Sequence, residues 1–121
     1  MFLATINPCK QLLCFSFVDK VTLAEIEKAH AEVVSLIDEL PKGFHLLTDM
    51  SRLDSMEVAC TVEIARTMEV CDQKGVGMVV RVIPDPSKDI GLNILTLFHY
   101  RKRPKVVTCA TMVEAARLLA L

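Results

Sequence analysis

The chain has 121 residues, of which 52% are hydrophobic and 24% charged, with a net charge of −1 at pH 7. This length predicts one domain over residues 1–121, large enough to bury a core without disulfide or metal supports. The near-neutral charge argues against nucleic acid as a partner. No apolar run approaches the roughly 20 residues that cross a bilayer.

The five cysteines show no Cys-x-x-Cys spacing, and no signal peptide is recognisable before them. We therefore expect mostly buried, reduced thiols and a cytoplasmic protein. A thiol enzyme would need a reactive Cys14 or Cys60, the latter with a pKa lowered by a helix N-terminus. Nothing in the sequence pairs either thiol with a base, and the histidines form no metal-ligand cluster. The sequence thus predicts no catalytic residue, metal or cofactor.

Strand-like and helical segments alternate along the chain. Runs rich in β-formers predict strands at 2–6, 11–18, 44–48, 76–83 and 105–109. Helical spacing predicts helices from Thr22 to Leu40, from Asp54 to about Lys74 before Gly75, from near Ser87 to His99, and from Thr111 to the chain end. The order β-β-α-β-α-β-α-β-α predicts an α/β fold with a mostly parallel sheet and an opening antiparallel β-hairpin.

Three of the helices are predicted to begin with a capping box, in which Glu follows a capping residue by three positions. The pairs are Thr22 with Glu25, Asp54 with Glu57, and Thr111 with Glu114. The second pair places residues 50–53 in a loop between strand and helix. The third helix lacks such a box and carries an apolar stripe, formed by Ile90, Ile94, Leu97 and Phe98.

This order of elements resembles the STAS domain of anti-sigma-factor antagonists, the SpoIIAA-like family. Two stretches carry the resemblance. LLTDMSRL, residues 46–53, is similar to the family's third strand with its terminal Asp, and residues 78–119 are similar to its closing strand-helix-strand-helix. The resemblance implies a non-catalytic regulatory module that binds a protein partner, such as a kinase or an anti-sigma-like regulator.

The resemblance fails at the family's phosphorylation motif. Antagonists carry Asp-Ser-Ser/Thr-Gly at the start of the second helix, where this chain has Glu57, Val58, Ala59 and Cys60. Ser55 is the nearby hydroxyl that would take the phosphate if the loop were shorter. A phosphate there would lie near a positive helix N-terminus. The alternative is that Ser55 is an ordinary helix-start residue.

The binding surface is expected where loops leave the carboxyl ends of parallel strands, because such loops converge. These loops are 49–57 and 84–87. The residues predicted to bind the partner are Asp49, Ser51, Asp54, Ser55, Glu57, Asp85 and Ser87. Asp49 is expected to fix its loop by accepting backbone hydrogen bonds.

Other readings of the chain stay open. Looser STAS-like families imply a carrier that holds a small-molecule or lipid ligand between sheet and helices. The cations Arg101, Lys102 and Arg103 predict either an anion contact or a solvated loop. His30 is expected to be a core or interface histidine. The exposed edge of the hairpin is one place where a homodimer could form.

Overall fold

The computed structural model describes residues 1–120, except for the side chain of Ile90. Its strands are β1 (Phe2–Asn7), β2 (Leu12–Val21), β3 (His45–Met56), β4 (Met78–Val82) and β5 (Lys105–Cys109). Its α-helices are α1 (Leu23–Asp38), α2 (Cys60–Lys74), α3 (Ile90–His99) and α4 (Met112–Leu118). Within the described residues, no helix has the length and hydropathy that crossing a membrane requires.

The strands form one mixed sheet in the order β1-β2-β3-β4-β5. β1 pairs with β2 antiparallel, and the other neighbours pair parallel. The chain reverses between β1 and β2 through a short 3-10 turn that ends at Gln11, which has a left-handed backbone with φ 51°. The expected α/β order, hairpin and mostly parallel sheet are confirmed. A homodimer through the free edge of β1 stays a prediction.

Side chains that alternate along the strands fill two apolar layers. The layer between the sheet and helices α1, α2 and α3 includes Leu13, Phe15, Phe17, Leu46 and Val79 from the strands, with Ile26, Ile37, Met68 and Leu92 from the helices. The layer on the opposite face includes Leu12, Leu47, Val80 and Val82, covered by Ala115 and Leu119. Three helices therefore cover one face, and the short α4 covers part of the other.

Two of the three capping boxes are confirmed in part. The hydroxyl of Thr22 accepts a hydrogen bond from the N–H of Glu25 at 3.3 Å, and that of Thr111 accepts one from Glu114 at 3.2 Å. Gly75 ends α2 as expected, in the left-handed conformation with φ 91°. The predicted continuation of the last helix to Leu121 lies outside the described residues.

The predicted boundary between β3 and α2 is wrong. β3 does not end at Asp49 but continues through Asp54 and Ser55 to Met56. Helix α2 begins only at Cys60, after an N-cap residue, Ala59, that makes no side-chain capping bond. Four of the five residues 51–55 are polar and look like a loop locally, but the segment pairs with an extended β2 that reaches Val21. This long-range pairing overrides the local preference.

Helix α3 turns its apolar stripe to solvent. Ile94, Leu97 and Phe98 are 52%, 81% and 68% exposed, whereas Leu92 is buried. The side chain of Ile90, the fourth predicted member of the stripe, lies outside the described residues. The inward-facing residues of α3 are Leu92 and Leu95, which join the core, and the partly buried Thr96, a face that the predicted stripe did not indicate.

Candidate interaction site at the carboxyl edge of the sheet

Two Asp-x-Ser segments with the same hydrogen bonds lie where the pairing between neighbouring strands β3 and β4 ends. Asp49–Ser51 lies within β3, and Asp85–Ser87 follows the end of β4. Oδ1 of Asp49 accepts the N–H of Ser51 at 3.0 Å and its hydroxyl at 2.6 Å. Oδ1 of Asp85 accepts the N–H of Ser87 at 3.1 Å and its hydroxyl at 2.8 Å. The hydroxyl and then the N–H of Ser87 lower the pKa of Asp85. The repeated Asp-x-Ser pattern was readable in the sequence but was not noticed there.

A groove of about 170 Å³ lies between these two segments. Its apolar walls come from Met50, Leu53, Met56, Ile83 and Leu92, and Ser51, Asp85 and Lys88 add polar groups. The structure therefore brings the two predicted binding segments together at one edge of the sheet, although the first is largely strand rather than loop. This feature is called the edge groove below.

The remaining predicted residues of the first segment have different positions. Asp54 and Ser55 are exposed on β3, where Ser55 lies opposite Lys20 of β2. Ser55 is thus not at a helix N-terminus, and the argument from the helix dipole does not hold. Glu57 accepts the N–H of Leu23 through Oε1 at 2.8 Å and so caps the start of α1.

The hydroxyl that does lie in the first turn of α2 belongs to Thr61. It is exposed and donates a hydrogen bond to the carbonyl oxygen of Val58 at 2.7 Å. Sequence reasoning missed this residue because the helix was expected to start six residues earlier.

No protein-family model matches the chain, and no curated protein does. Solved structures do match. The unphosphorylated anti-sigma factor antagonist SpoIIAA superposes with a TM-score of 0.69 at 13% identity, over 99% of this chain and 98% of that one. The chain has a SpoIIAA-like fold.

Two further structures agree with this assignment. An uncharacterised DUF3478 protein from Shewanella loihica PV-4, described as having a SpoIIAA-like fold, gives a TM-score of 0.70 at 14% identity, over 98% of this chain and 92% of that one. Phosphorylated SpoIIAA from Bacillus gives a TM-score of 0.65 at 12% identity, over 98% of this chain and 99% of that one. At these identities the likeness concerns the fold.

Burial raises the pKa of both thiols that the sequence offers as nucleophiles, Cys14 and Cys60. Burial is the largest effect on Cys14 and raises its pKa, although a hydrogen bond with Ser16 acts in the opposite direction. Burial also raises the pKa of Cys60, and the charge of Glu57 adds to the increase. Cys60 is buried, as expected of a structural thiol, and desolvation of the thiolate outweighs the alternative effect of a helix N-terminus on its pKa.

His30 lies between α1 and α2, as an interface histidine was expected to. Its Nε2 is 3.3 Å from Nη2 of Arg66, and its Nδ1 is 3.9 Å from Oε2 of Glu63. Arg66 also pairs with Oε1 of the buried Glu63 at 2.9 Å. These contacts join the two helices and give His30 a structural role.

The cationic run after α3 comes just before β5, at the amino ends of the parallel strands, whereas the edge groove lies toward their carboxyl ends. Lys102 is held by α2, because its N–H donates to Oδ1 of Asp72 at 3.0 Å and its Nζ to the carbonyl of Gln73 at 3.4 Å. Arg101 borders a shallow depression of about 230 Å³ that Glu69 and Asp72 also line. Glu69 and Asp72 therefore lie near Arg101 and Lys102, and an anion contact by Arg101, Lys102 and Arg103 stays a prediction.

A small cavity of about 50 Å³ lies between the sheet and helices α1, α2 and α3 in the SpoIIAA-like fold. Its lining is mainly apolar, with Phe15, Phe17, Leu46 and Met68 among the residues, but it also includes Arg81 and Tyr100.

Arg81 is only 2% exposed. Its Nη1 donates to Asp89 at 3.4 Å and to Asn93 at 3.1 Å, and its Nη2 donates to Thr96. Burial lowers the pKa of Arg81, and the charge of Asp89 partly offsets this. The sequence analysis did not identify this buried cation.

Proposed function

We propose that this chain is a non-catalytic regulatory module of STAS type that acts in the cytoplasm by binding a protein partner at the edge groove. The observation that carries the proposal is the pair of Asp-x-Ser segments, one within β3 and one after β4, that contribute Ser51 and Asp85 to this groove. The match to an anti-sigma factor antagonist supports a signalling partner, such as a kinase or an anti-sigma-like regulator.

The composition of the edge groove suits a protein partner. Its apolar walls adjoin the exposed polar residues Ser51, Asp85 and Lys88. An apolar centre with a polar rim is the usual arrangement of a protein–protein interface. The five cysteines are all free thiols, in keeping with a reducing compartment.

Site-specific photo-cross-linking tests the location of the surface. A photoreactive amino acid replaces Asp85 in one variant and Ser55 in another, and a third carries it at Glu32, which is exposed on α1. We expect one protein of the native host to be captured from positions 85 and 55 and not from 32. Asp85→Lys should then weaken binding of that purified protein at least tenfold, and Glu32→Lys should leave it unchanged. Capture from position 32 alone would refute the assignment.

Phosphorylation of Ser55 remains part of the proposal. Its exposed hydroxyl lies opposite Lys20, which supplies a cation for a phosphate, while Asp54 opposes it. Intact-mass measurement of the chain from its native host, followed by fragment mapping, tests this. A phosphate on Ser55 that disappears in Ser55→Ala supports the modification. A phosphate on Thr61 would instead place the switch at the start of α2.

The second candidate function is transport of a small apolar ligand, which the cavity beside Arg81 favours. Its volume of about 50 Å³ suffices for a few water molecules. Typical ligand pockets measure roughly 300–1,000 Å³. The protein-binding function is therefore the better supported of the two. Native mass spectrometry of protein purified without added ligand separates them, since a carrier should retain a releasable compound.

A further inference from the structure

Strand β3 extends beyond its neighbour β4. Pairing between β3 and β4 ends at Asp49 with Val82, whereas pairing between β3 and β2 continues to Met56 with Val21. Residues 51–56 therefore have a partner strand on one side only. This segment is called the open edge below.

The backbone of the open edge has free hydrogen-bonding capacity. In a strand, about half of the N–H and C=O groups point to each side. In the part of the chain that the structure describes, no backbone hydrogen bond joins residues 51–56 to residues 83–89, and only the N–H of Ser51 is taken by a side chain, that of Asp49. The open edge is thus a ready acceptor for a further strand.

The edge groove lies along the same side of β3. Met50, Leu53 and Met56 of this strand line it together with Ile83 and Leu92. A strand added at the open edge would direct alternate side chains toward these apolar walls. Methionine is well suited to such a site, because its flexible side chain adapts to different ligands.

Charges around the open edge indicate which segment it accepts. The acidic side chains are Asp19, Asp49, Asp54, Glu57 and Asp85, and the basic ones are Lys20, Arg52 and Lys88. Glu57 is partly engaged at the start of α1, but the balance stays acidic. The charge complement is an extended segment with Lys or Arg beside its apolar residues.

We propose that the partner binds by β-strand addition: an extended segment, alternating apolar residues with lysine or arginine, pairs with residues 51–56 and inserts an apolar side chain into the edge groove. This rests on the proposed function and specifies how the partner is recognised. Main-chain hydrogen bonds supply affinity, and the groove supplies specificity. The open edge spans about 20 Å, which matches a segment of about six residues.

A display library of random seven-residue peptides, selected on the intact chain, provides the probe. We expect the selected peptides to alternate apolar and other residues and to carry Lys or Arg. Asp85→Lys should weaken the binding of the best peptide at least tenfold, and Glu32→Lys should not change it. Amide hydrogen exchange in residues 51–56 should slow at least tenfold when the peptide is bound.

The outcomes separate this proposal from the proposed function. If Asp85→Lys weakens binding of the cross-linked partner, but the bound partner leaves hydrogen exchange in residues 51–56 unchanged, strand addition is refuted and the binding surface is retained. If Asp85→Lys weakens the binding of neither the peptides nor a protein partner, both strand addition and the proposed binding surface are refuted. Protection of residues 51–56 that rises with the concentration of the chain alone would assign the open edge to a second copy and overturn the proposal.

Discussion

Removal of the Asp89 carboxylate tests how the buried guanidinium of Arg81 is stabilised. Asp89 accepts hydrogen bonds from Arg81 at 3.4 Å, from Asn93 at 3.3 Å and from Thr108 at 2.7 Å. It lies at the N-cap position of α3 but makes no side-chain capping bond there. The substitution Asp89→Ala therefore measures the loss of the polar network rather than the loss of a helix cap.

The structure sets the size of the expected effect. Breaking a buried ion pair by removing one partner costs about 3–5 kcal/mol, because the other charge stays desolvated. Arg81 would keep Asn93 and Thr96 as acceptors, so we expect a loss of about 3 kcal/mol in the free energy of unfolding. The double variant Arg81→Met/Asp89→Ala removes both charges and should lose at least about 1 kcal/mol less than the sum of the single variants.

Urea unfolding at pH 7 and 25 °C, followed by far-ultraviolet circular dichroism, gives these free energies. Asp38→Ala is the matched control, because Asp38 is an exposed aspartate on α1, and it should change stability by less than about 0.5 kcal/mol. A loss below about 1 kcal/mol for Asp89→Ala, on the scale of an ordinary neutral hydrogen bond, would show that the guanidinium is solvated and that the reasoning is wrong.

Three further outcomes are expected. Burial raises the pKa of Cys71 from 9.0 to about 12, so the unfolded chain loses this proton first and the free energy of unfolding falls as the pH rises. Urea titrations at pH 7 and pH 10 should show that this free energy falls by about 1.4 kcal/mol less in Cys71→Ala than in the wild type. Gly75 has a left-handed backbone with φ 91°, so Gly75→Ala should lower the free energy of unfolding in urea by about 1 kcal/mol. A Cβ added at Gly91 on α3 would meet no atom within 4 Å, so Gly91→Ala should leave this free energy unchanged or raise it. Leu97 is exposed, so Leu97→Ser should change the thermal midpoint by no more than about 2 °C. Leu92 is buried, so Leu92→Ala should lower the free energy of unfolding by about 2–4 kcal/mol and the midpoint by much more. Equal changes in the midpoint of the two variants would contradict the burial pattern.

The order of elements was predictable because each element carries a local signal. Thr22 and Glu25 form their cap within one helical turn, and the glycine at 75 ends α2 where its left-handed backbone is needed. The limits of β3 were not predictable in this way. Ser55 extends the strand because it faces Lys20 on β2, a contact made over 35 positions of sequence.

The meeting of segments 49–57 and 84–87 was predictable, because parallel neighbouring strands run toward the same end of the sheet and so bring Asp49 and Asp85 close together. The buried network was missed, although its pattern is visible. Asp89, Asn93 and Thr96 have helical spacing, and Arg81 interrupts an otherwise apolar strand. Matching that cation to a polar stripe on the next helix would have shown which face of α3 turns inward.

The distribution of the thiols makes this chain convenient to label without mutagenesis. Cys9 is exposed in the turn before β2, whereas Cys60, Cys71 and Cys109 are buried and Cys14 is half-buried. A maleimide dye should therefore react first at Cys9. Since β2 runs about 30 Å from that turn toward the carboxyl edge of the sheet, a fluorophore there would sit far from the edge groove. The native sequence thus provides a single attachment point for energy-transfer or immobilisation experiments that leaves the binding surface unobstructed.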